Sequence, residues 1–321
     1  MAADMIFKLK CFLPPSMKKY LIAFYLLFLL QGMLMPANAW GYSVHKEVAE
    51  RAIEKLPENW KTWLQAHVQE LREGSIFPDE NKDKDPNERP RHYDDSDIPH
   101  TDINVSSTSE NYSLGVVSWA AMNTSLKLVE AIKQNQGNEV LLLMGSLSHY
   151  LSDASQPFHA TSNFDGQLTG NDGIHSRFET ILPDKYWEAI WQQVEIGEPK
   201  YVSDIYNATK AAIASGLAVV PLLLEADDKA KESGDYWGTF YNETSEILVE
   251  RLELAIQLTM DAWFSAITDA NSLNKDLTQM IITTPKVTKT SSSALEADAS
   301  FYPALVIPTF IAMALNKKKK L

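Results

Sequence analysis

The sequence predicts an all-α protein built around one helical domain. Between Trp40 and about Ala270, apolar residues recur at steps of three and four, as they do on the buried face of a helix. No segment in this range shows the alternation of apolar and polar residues that is typical of a half-buried strand. With 321 residues, of which 45% are hydrophobic, the chain can bury one sizeable core.

The clearest helical pattern lies near the end of this range, where apolar residues line one face: Val249, Leu252, Ile256, Met260, Trp263 and Ile267. Residues 140–147 are apolar nearly all round, which predicts a central buried helix. We expect it to continue through Asp153 and to end at Pro157. Further helices are predicted over residues 116–133 and 204–225. Residues 79–109 are polar and proline-rich, which predicts a long loop, and loops of that length inside a domain are usually functional.

The N-terminal residues 1–39 are predicted to be a secretory signal rather than part of the fold. Lys18 and Lys19 precede an apolar run over residues 20–30, and Ala37-Asn38-Ala39 forms a cleavage site. Cleavage there would make Trp40 the first residue of an exported protein. The only cysteine of the chain lies in this leader, so the exported protein would have no disulfides and would be stabilised by its core, by metals, or by both.

The C-terminal residues are also predicted to be separate from the helical domain 40–275. Residues 276–300 are rich in Ser and Thr and are predicted to be a linker. Residues 301–321 form an apolar segment followed by a run of lysines. Two interpretations of this tail stay open, a disordered tail and a surface-retention signal, and we favour retention.

Histidines and carboxylates recur with a spacing that favours metal binding. In His149-Tyr-Leu-Ser-Asp153 the two side chains point from one helix face, His159 follows, and His175-Ser-Arg-Phe-Glu179 repeats the spacing. One such pair alone is usually a surface ion pair. Burying an uncompensated His and Asp on an apolar helix costs several kcal/mol, whereas a metal would compensate them. Imidazole and carboxylate are ligands of zinc and other transition metals.

Three further positions stand in suggestive sequence settings. His45 lies five residues after Trp40, Asp79 follows Pro78, and His92 stands between an Arg and a Tyr. Taken singly, His45 could be a satisfied core histidine and Asp79 a loop carboxylate. His67 and His100 have no such setting, and we leave both out of the candidate site.

Together these motifs resemble the zinc-dependent phospholipase C superfamily, which includes the trinuclear-zinc single-strand nucleases. The resemblance implies the helical fold of that superfamily and a catalytic domain over residues 40–275. It also implies three zinc ions held by the following residues. Trp40 (through its amine and carbonyl), His45 and Asp153 would hold the first ion. Asp79, His92, His149 and Asp153 would hold the second, and His159, His175 and Glu179 the third.

The resemblance further implies a hydrolase of phosphate esters, in which Asp79 either binds zinc or acts as the catalytic base. Glu179, where nucleases of the superfamily typically carry Asp, favours a phospholipase C that cleaves the glycerol-side phosphodiester of phospholipids. A single-strand nuclease or nucleotidase is the alternative, and a metal-stabilised, non-catalytic surface binding protein is a third hypothesis. The net charge of -13 disfavours duplex nucleic acid as a partner. We expect a monomer that can contact a membrane surface.

Overall fold

The computed structural model describes residues 40–99 and 110–282. The predicted signal, most of the predicted linker, the tail and His100 lie outside the described residues. Within them, ten α-helices follow one another in this order: α1 Tyr42–Arg51, α2 Glu58–Ala66, α3 Val68–Asn81, α4 Val117–Lys133, α5 Gly137–Ser155, α6 Ile174–Ser176, α7 Leu182–Lys185, α8 Trp187–Trp191, α9 Ile205–Glu232 and α10 Tyr236–Asp269. Short 3-10 helices span Arg89–His92, Glu110–Leu114, Pro157–Ala160 and Leu277–Gln279, and a π-helical turn spans Arg177–Ile181. The described residues contain no strand, so the all-α prediction is confirmed.

Helix α5 is the centre of the bundle, as its apolar sequence predicts. Its residues from Val140 onward are almost all buried, and it packs against α1, α3, α4, α9 and α10. It ends at Ser155, just before Pro157, whose ring cannot continue a helix. This helix therefore carries His149 and Asp153 into the interior.

Helices α3 and α5 cross backbone to backbone. A Cβ added at Gly145 of α5 would clash with the backbone of Gly74 on α3, so only glycine fits at this crossing. The close approach brings the last turn of α3, with Asp79, beside His149 of α5.

Helix α3 corrects the prediction that a loop begins at Asp79. The helix runs through Pro78 to Asn81, so Asp79 lies on its last turn. Proline has no backbone N–H, so the helix lacks one backbone hydrogen bond at Pro78. The helix tolerates this loss because Pro78 lies within one turn of its C-terminal end. Pro78 therefore does not mark a boundary here, although its sequence pattern indicates one.

The two long helices α9 and α10 pack against each other and against α4 and α5. The apolar stripe predicted on α10 is largely buried from Leu252 to Ile267. By length and composition alone, α9 is the one helix of the described residues that is long and apolar enough to cross a membrane. Since it packs against α4, α5 and the Pro157–Ala160 turn, we interpret it as a helix of the bundle.

The domain boundary at residue 275 stays a prediction. The described residues that follow it still pack against the bundle, because Leu277 and Met280 are buried. The Ile281 N–H also donates to the carbonyl oxygen of Asn135 at 2.8 Å.

Candidate metal centre

Eight of the nine predicted ligands converge as side chains on one buried cluster. They come from separate elements: α1 supplies His45, α3 Asp79, the Arg89–His92 turn His92, α5 His149 and Asp153, the Pro157–Ala160 turn His159, α6 His175 and the π-helical turn Glu179. All eight are buried, with at most 8% of any residue exposed. Such convergence of ionisable groups in an interior requires a compensating interaction.

The candidate ligand atoms form three sets, and within each set they lie no more than 4.8 Å apart. One set is His45, Asp79 and His149, the second is His92, His149 and Asp153, and the third is His159, His175 and Glu179. The third set coincides with the one that the family resemblance implies. The first two sets share His149. His45 belongs to the first set with Asp79, and it also lies near Asp153 of the second set.

Asp153 lies at the centre of the cluster, and its two oxygens face different histidines. Oδ1 is 3.5 Å from His45 Nε2 and 3.9 Å from His159 Nδ1. Oδ2 is 2.9 Å from His92 Nδ1 and 3.2 Å from His149 Nε2. A carboxylate placed in this way can bind two cations at once, one through each oxygen.

Several buried polar atoms of the cluster have no hydrogen-bond partner among the described residues. They include both ring nitrogens of His45, Oδ2 of Asp79, Oδ1 of Asp153 and Oε1 of Glu179. Folded proteins leave few buried polar atoms unpaired, and each such atom costs about 1–3 kcal/mol. A set of imidazole nitrogens and carboxylate oxygens fits zinc, which would satisfy these atoms.

Hydrogen bonds outside the cluster orient two of the histidines. His149 Nδ1 lies 2.8 Å from the carbonyl oxygen of Ser75, and donation to that oxygen leaves Nε2 facing the carboxylates. His159 Nδ1 likewise contacts the carbonyl oxygen of His92, so its Nε2 lies 3.1 Å from His175 Nε2. Metal-binding histidines commonly donate their second nitrogen in this way, which fixes the tautomer.

The pKa values of the cluster reflect competition between burial and charge. Burial would raise the pKa of Asp153, but His149, His159 and His92 hold it well below its usual value. Burial would lower the pKa of His159, but the charges of Asp153 and Glu179 raise it to about 9. Burial and then the neighbouring His149 lower the pKa of His45 well below its usual value. The cluster thus holds Asp153 anionic, and metal must compete with protons at His159.

The side chain of Trp40, the ninth predicted ligand, lies next to the cluster. The ring is fully buried, and its indole N–H donates to the carbonyl oxygen of Ser152 at 2.8 Å. This bond holds Trp40 beside the residue that precedes Asp153. Its role as a metal ligand stays a prediction. His67, which we left out, belongs to none of the three ligand sets and pairs loosely with Glu70 at 4.0 Å.

Sequence reasoning missed two charged residues that contact the cluster. Lys82 Nζ donates to Asp79 Oδ1 at 2.8 Å. Glu88 is buried, lies 3.8 Å from His92 Nε2 and accepts a hydrogen bond from the Tyr150 hydroxyl. Lys82 lies three residues after Asp79. In a helix this spacing brings two side chains into contact, so the sequence predicts the contact only if both residues are assigned to a helix.

A second network holds the segment that carries His175. Asp227 of α9 is buried and accepts hydrogen bonds from Asn171 at 2.8 Å and from Arg177 Nη2 at 2.9 Å. Because Asn171 and Arg177 flank His175 in sequence, this carboxylate fixes the path of the chain through the third ligand set. Burial would raise the pKa of Asp227, but bonds from Lys231, Tyr236 and Asn171 keep it low.

A cavity of about 300 Å³ opens onto the cluster. It is lined by Lys82, Arg89, His92, Tyr93, Asp95, Phe158, His159, Phe164 and His175. The lining combines cluster histidines with two cationic side chains and an aromatic wall. Phe164 is 51% exposed at this opening, and its ring lies 6.3 Å from that of His175. The cavity is therefore suited to a ligand with an anionic group at the cluster and an apolar part at the aromatic wall.

The solved structures that match this chain include two Clostridium toxins. Alpha toxin from Clostridium absonum is 16% identical with a TM-score of 0.47, and the match covers 73% of this chain and 65% of the toxin. Alpha-toxin of Clostridium perfringens avian strain SWCP is 16% identical with a TM-score of 0.45, over 75% of this chain and 66% of the toxin. The chain thus spans slightly less than two thirds of either toxin.

Comparison with protein families gives a match over more than half of the chain, whereas no curated protein sequence matches it significantly. The family described as zinc dependent phospholipase C matches residues 44–219. That range contains all eight side chains of the cluster. The family resemblance of the sequence motifs is thereby confirmed, and the protein belongs to the zinc-dependent phospholipase C family.

Proposed function

We propose that the protein is an exported, monomeric phospholipase C that holds three zinc ions and cleaves the glycerol-side phosphodiester of phospholipids. The observation that carries this proposal is the placement of three ligand sets around Asp153 at the base of a cavity with cationic and aromatic walls. The fit of this donor set to zinc supports the metal, and membership of the family supports the reaction class.

We assign the three ions to the ligands that the resemblance implies. Trp40 and His45 would hold one ion together with Asp153. Asp79, His92 and His149 would hold the second, with Asp153 as the bridge. His159, His175 and Glu179 would hold the third. Zinc at such sites polarises phosphoryl oxygens and lowers the pKa of a water to about 7.

Asp79 is suited to act on the attacking water. Its Oδ1 is engaged by Lys82, whereas its Oδ2 is buried and has no partner among the described residues. The free oxygen can orient a water and accept its proton while the water oxygen attacks phosphorus. The bond between phosphorus and the glycerol oxygen then breaks. The proton that Asp79 accepted passes to the departing glycerol oxygen, so diacylglycerol leaves and the phosphorylated head group remains.

A lipid substrate agrees with the exposed apolar residues of the loop that precedes His175. Phe164 and Leu168 belong to the same loop beside His175 and are 51% and 71% exposed. Hydrogen bonds from Gln167 Nε2 to the Ser162 carbonyl and from the Leu168 N–H to Asn163 Oδ1 hold this loop in place. Exposed apolar side chains beside an active site can contact acyl chains at a membrane surface. Retention by the C-terminal tail stays a prediction.

The experiment that tests this proposal is a substrate panel on zinc-reconstituted protein that begins at Trp40. The panel contains phospholipid vesicles, single-stranded DNA, RNA and bis-p-nitrophenyl phosphate. We expect release of diacylglycerol from vesicles, together with hydrolysis of the chromogenic diester. His67→Ala serves as the matched control and should retain the rate.

Two other outcomes would replace the proposal with the alternatives. Cleavage of single-stranded nucleic acid without diacylglycerol release would indicate a nuclease. Full zinc occupancy without turnover of any of the diesters would indicate a metal-stabilised binding protein.

A further inference from the structure

We infer that Asp227 of α9 is a positioning residue, which holds His175 and Glu179 at the distance from His159 that the third cation requires. The inference rests on the proposed function for the identity of that cation, and it extends the site to a residue that is not itself a proposed ligand. Asp227 lies five residues before the end of α9, and its side chain is fully buried. A buried carboxylate needs several donors, and their origin indicates what it holds in place.

Two donors to Asp227 come from the segment of residues 170–179, which contains both His175 and Glu179. Arg177 donates to Oδ1 through Nη2 at 2.9 Å and through Nε at 3.2 Å. Asn171 donates to Oδ2 through Nδ2 at 2.8 Å. Bonds between an arginine and a carboxylate are charge-assisted and are stronger than neutral hydrogen bonds. Asp227 therefore fixes the path of this segment on both sides of His175.

Two further donors to Asp227 come from the long helices. Lys231, one turn further along α9, places Nζ 2.6 Å from Oδ2, and the hydroxyl of Tyr236 at the start of α10 donates to Oδ1. Each oxygen of Asp227 thus has one partner on a long helix and one in the segment 170–179. The carboxylate cannot turn without breaking bonds on both sides, so it connects the segment rigidly to α9 and α10.

Helix α9 also holds the other half of the third ligand set. His159 lies on the Pro157–Ala160 turn, which packs against α9. A Cβ added at Gly216 would lie 3.3 Å from the Cα of Pro157, so the helix and the turn approach closely there. Gly216 and Asp227 are both buried and are about three turns apart, which places them on the same face of α9. One helix therefore sets the distance between the two halves of the set.

The geometry of the third set is sensitive to the position of the segment 170–179. His175 Nε2 lies 3.1 Å from His159 Nε2 and 2.8 Å from Glu179 Oε2. His159 is held separately, through its contact with the carbonyl oxygen of His92. A zinc site requires distances within about 0.2 Å of their ideal values. A shift of the segment would therefore disturb the third set and leave the ligands around Asp153 Oδ2 in place.

Two substitutions test this role from opposite sides. Asp227→Asn keeps the size of the side chain and removes its charge, whereas Arg177→Gln weakens the attachment from the segment and leaves Asp227 with its partners on the long helices. Glu225→Gln is the matched control, because Glu225 is an exposed carboxylate of the same helix that pairs with Lys229. For each protein we would measure the zinc affinities by competition with a chromogenic chelator, and thermal unfolding with and without zinc.

We expect Asp227→Asn to weaken the binding of one zinc ion by about 10–100-fold, as loss of an outer-shell partner does, and to leave the other two affinities unchanged. Arg177→Gln should weaken the same ion, and Glu225→Gln should match the unsubstituted protein. In a protein that already carries Glu179→Gln, adding Asp227→Asn should change no remaining zinc affinity, because the ion that Asp227 positions is already lost.

Three unchanged zinc affinities together with a lower unfolding temperature would overturn the inference, since Asp227 would then only stabilise the fold. Equal weakening of all three ions would overturn it too. If Asp227→Asn does not fold, Arg177→Gln decides between the same outcomes. None of these measurements uses turnover, so a protein that binds zinc but hydrolyses no diester would contradict the proposed function without affecting this comparison.

Discussion

Replacing Asp153 with asparagine should remove more zinc and more activity than any other single change to the cluster. The substitution keeps the size of the side chain, but it replaces one of the two anionic oxygens with an amide group. Because those oxygens face His45 and His159 on one side and His92 and His149 on the other, more than one zinc should be lost. The fall in turnover should exceed the roughly 10–100-fold that follows loss of an outer-shell partner.

Glu179→Gln is the comparison for this prediction. Glu179 faces the histidines His175, at 2.8 Å, and His159, at 3.7 Å, and it also accepts a hydrogen bond from Gln156 Nε2 at 3.0 Å. Both histidines belong to the third ligand set, so its loss should affect the third ion alone. Elemental analysis and steady-state hydrolysis of the chromogenic diester give both quantities. If the two variants show equal and small losses, Asp153 is not a bridge. Thermal unfolding of the metal-loaded proteins separates loss of the site from loss of the fold.

Adding residues before Trp40 should have the second largest effect. A free terminal amine has an ordinary pKa of about 7.7–8.0 and can give up its proton to zinc at neutral pH. A peptide nitrogen within the chain is a poor ligand by comparison. The buried indole of Trp40 is bonded to the Ser152 carbonyl, which keeps the start of the domain beside Asp153. A protein that begins at Trp40 should therefore be active.

A protein with Met-Ala before Trp40 should bind about one zinc fewer and lose most of its turnover. Mass spectrometry would establish the first residue of each protein before zinc content and hydrolysis are compared. If the extended protein keeps all its zinc and its rate, the amine of Trp40 is not a ligand. The sets built on His149, Asp153, His159, His175 and Glu179 would be unaffected by that result.

Some parts of the site follow from local sequence and others do not. The pairing of His149 with Asp153 follows from helical spacing, and the burial of both follows from the apolar residues before them on α5. The approach of His45 and Asp79 to the same helix depends on contacts such as the Gly74–Gly145 crossing. No local pattern encodes such a crossing, so these two residues could be assigned only through their resemblance to a family.

The error at Pro78 also explains why Lys82 was missed. With Asp79 assigned to a loop, a residue three positions later has no defined direction. With α3 extended to Asn81, the same spacing places the two side chains in contact. Glu88 was missed for a related reason, since its contact with His92 depends on the 3-10 turn at Arg89–His92, which has no strong sequence signal.

The number and positions of the bound zinc ions test the account most directly. Anomalous diffraction at the zinc edge, from a crystal of zinc-reconstituted protein beginning at Trp40, locates each ion independently of activity. We expect three peaks, two of them sharing Asp153 and the third among His159, His175 and Glu179, with ligand distances of about 2.0–2.2 Å. A single peak, no peak, or zinc bound away from Asp153 would contradict the proposed trinuclear site.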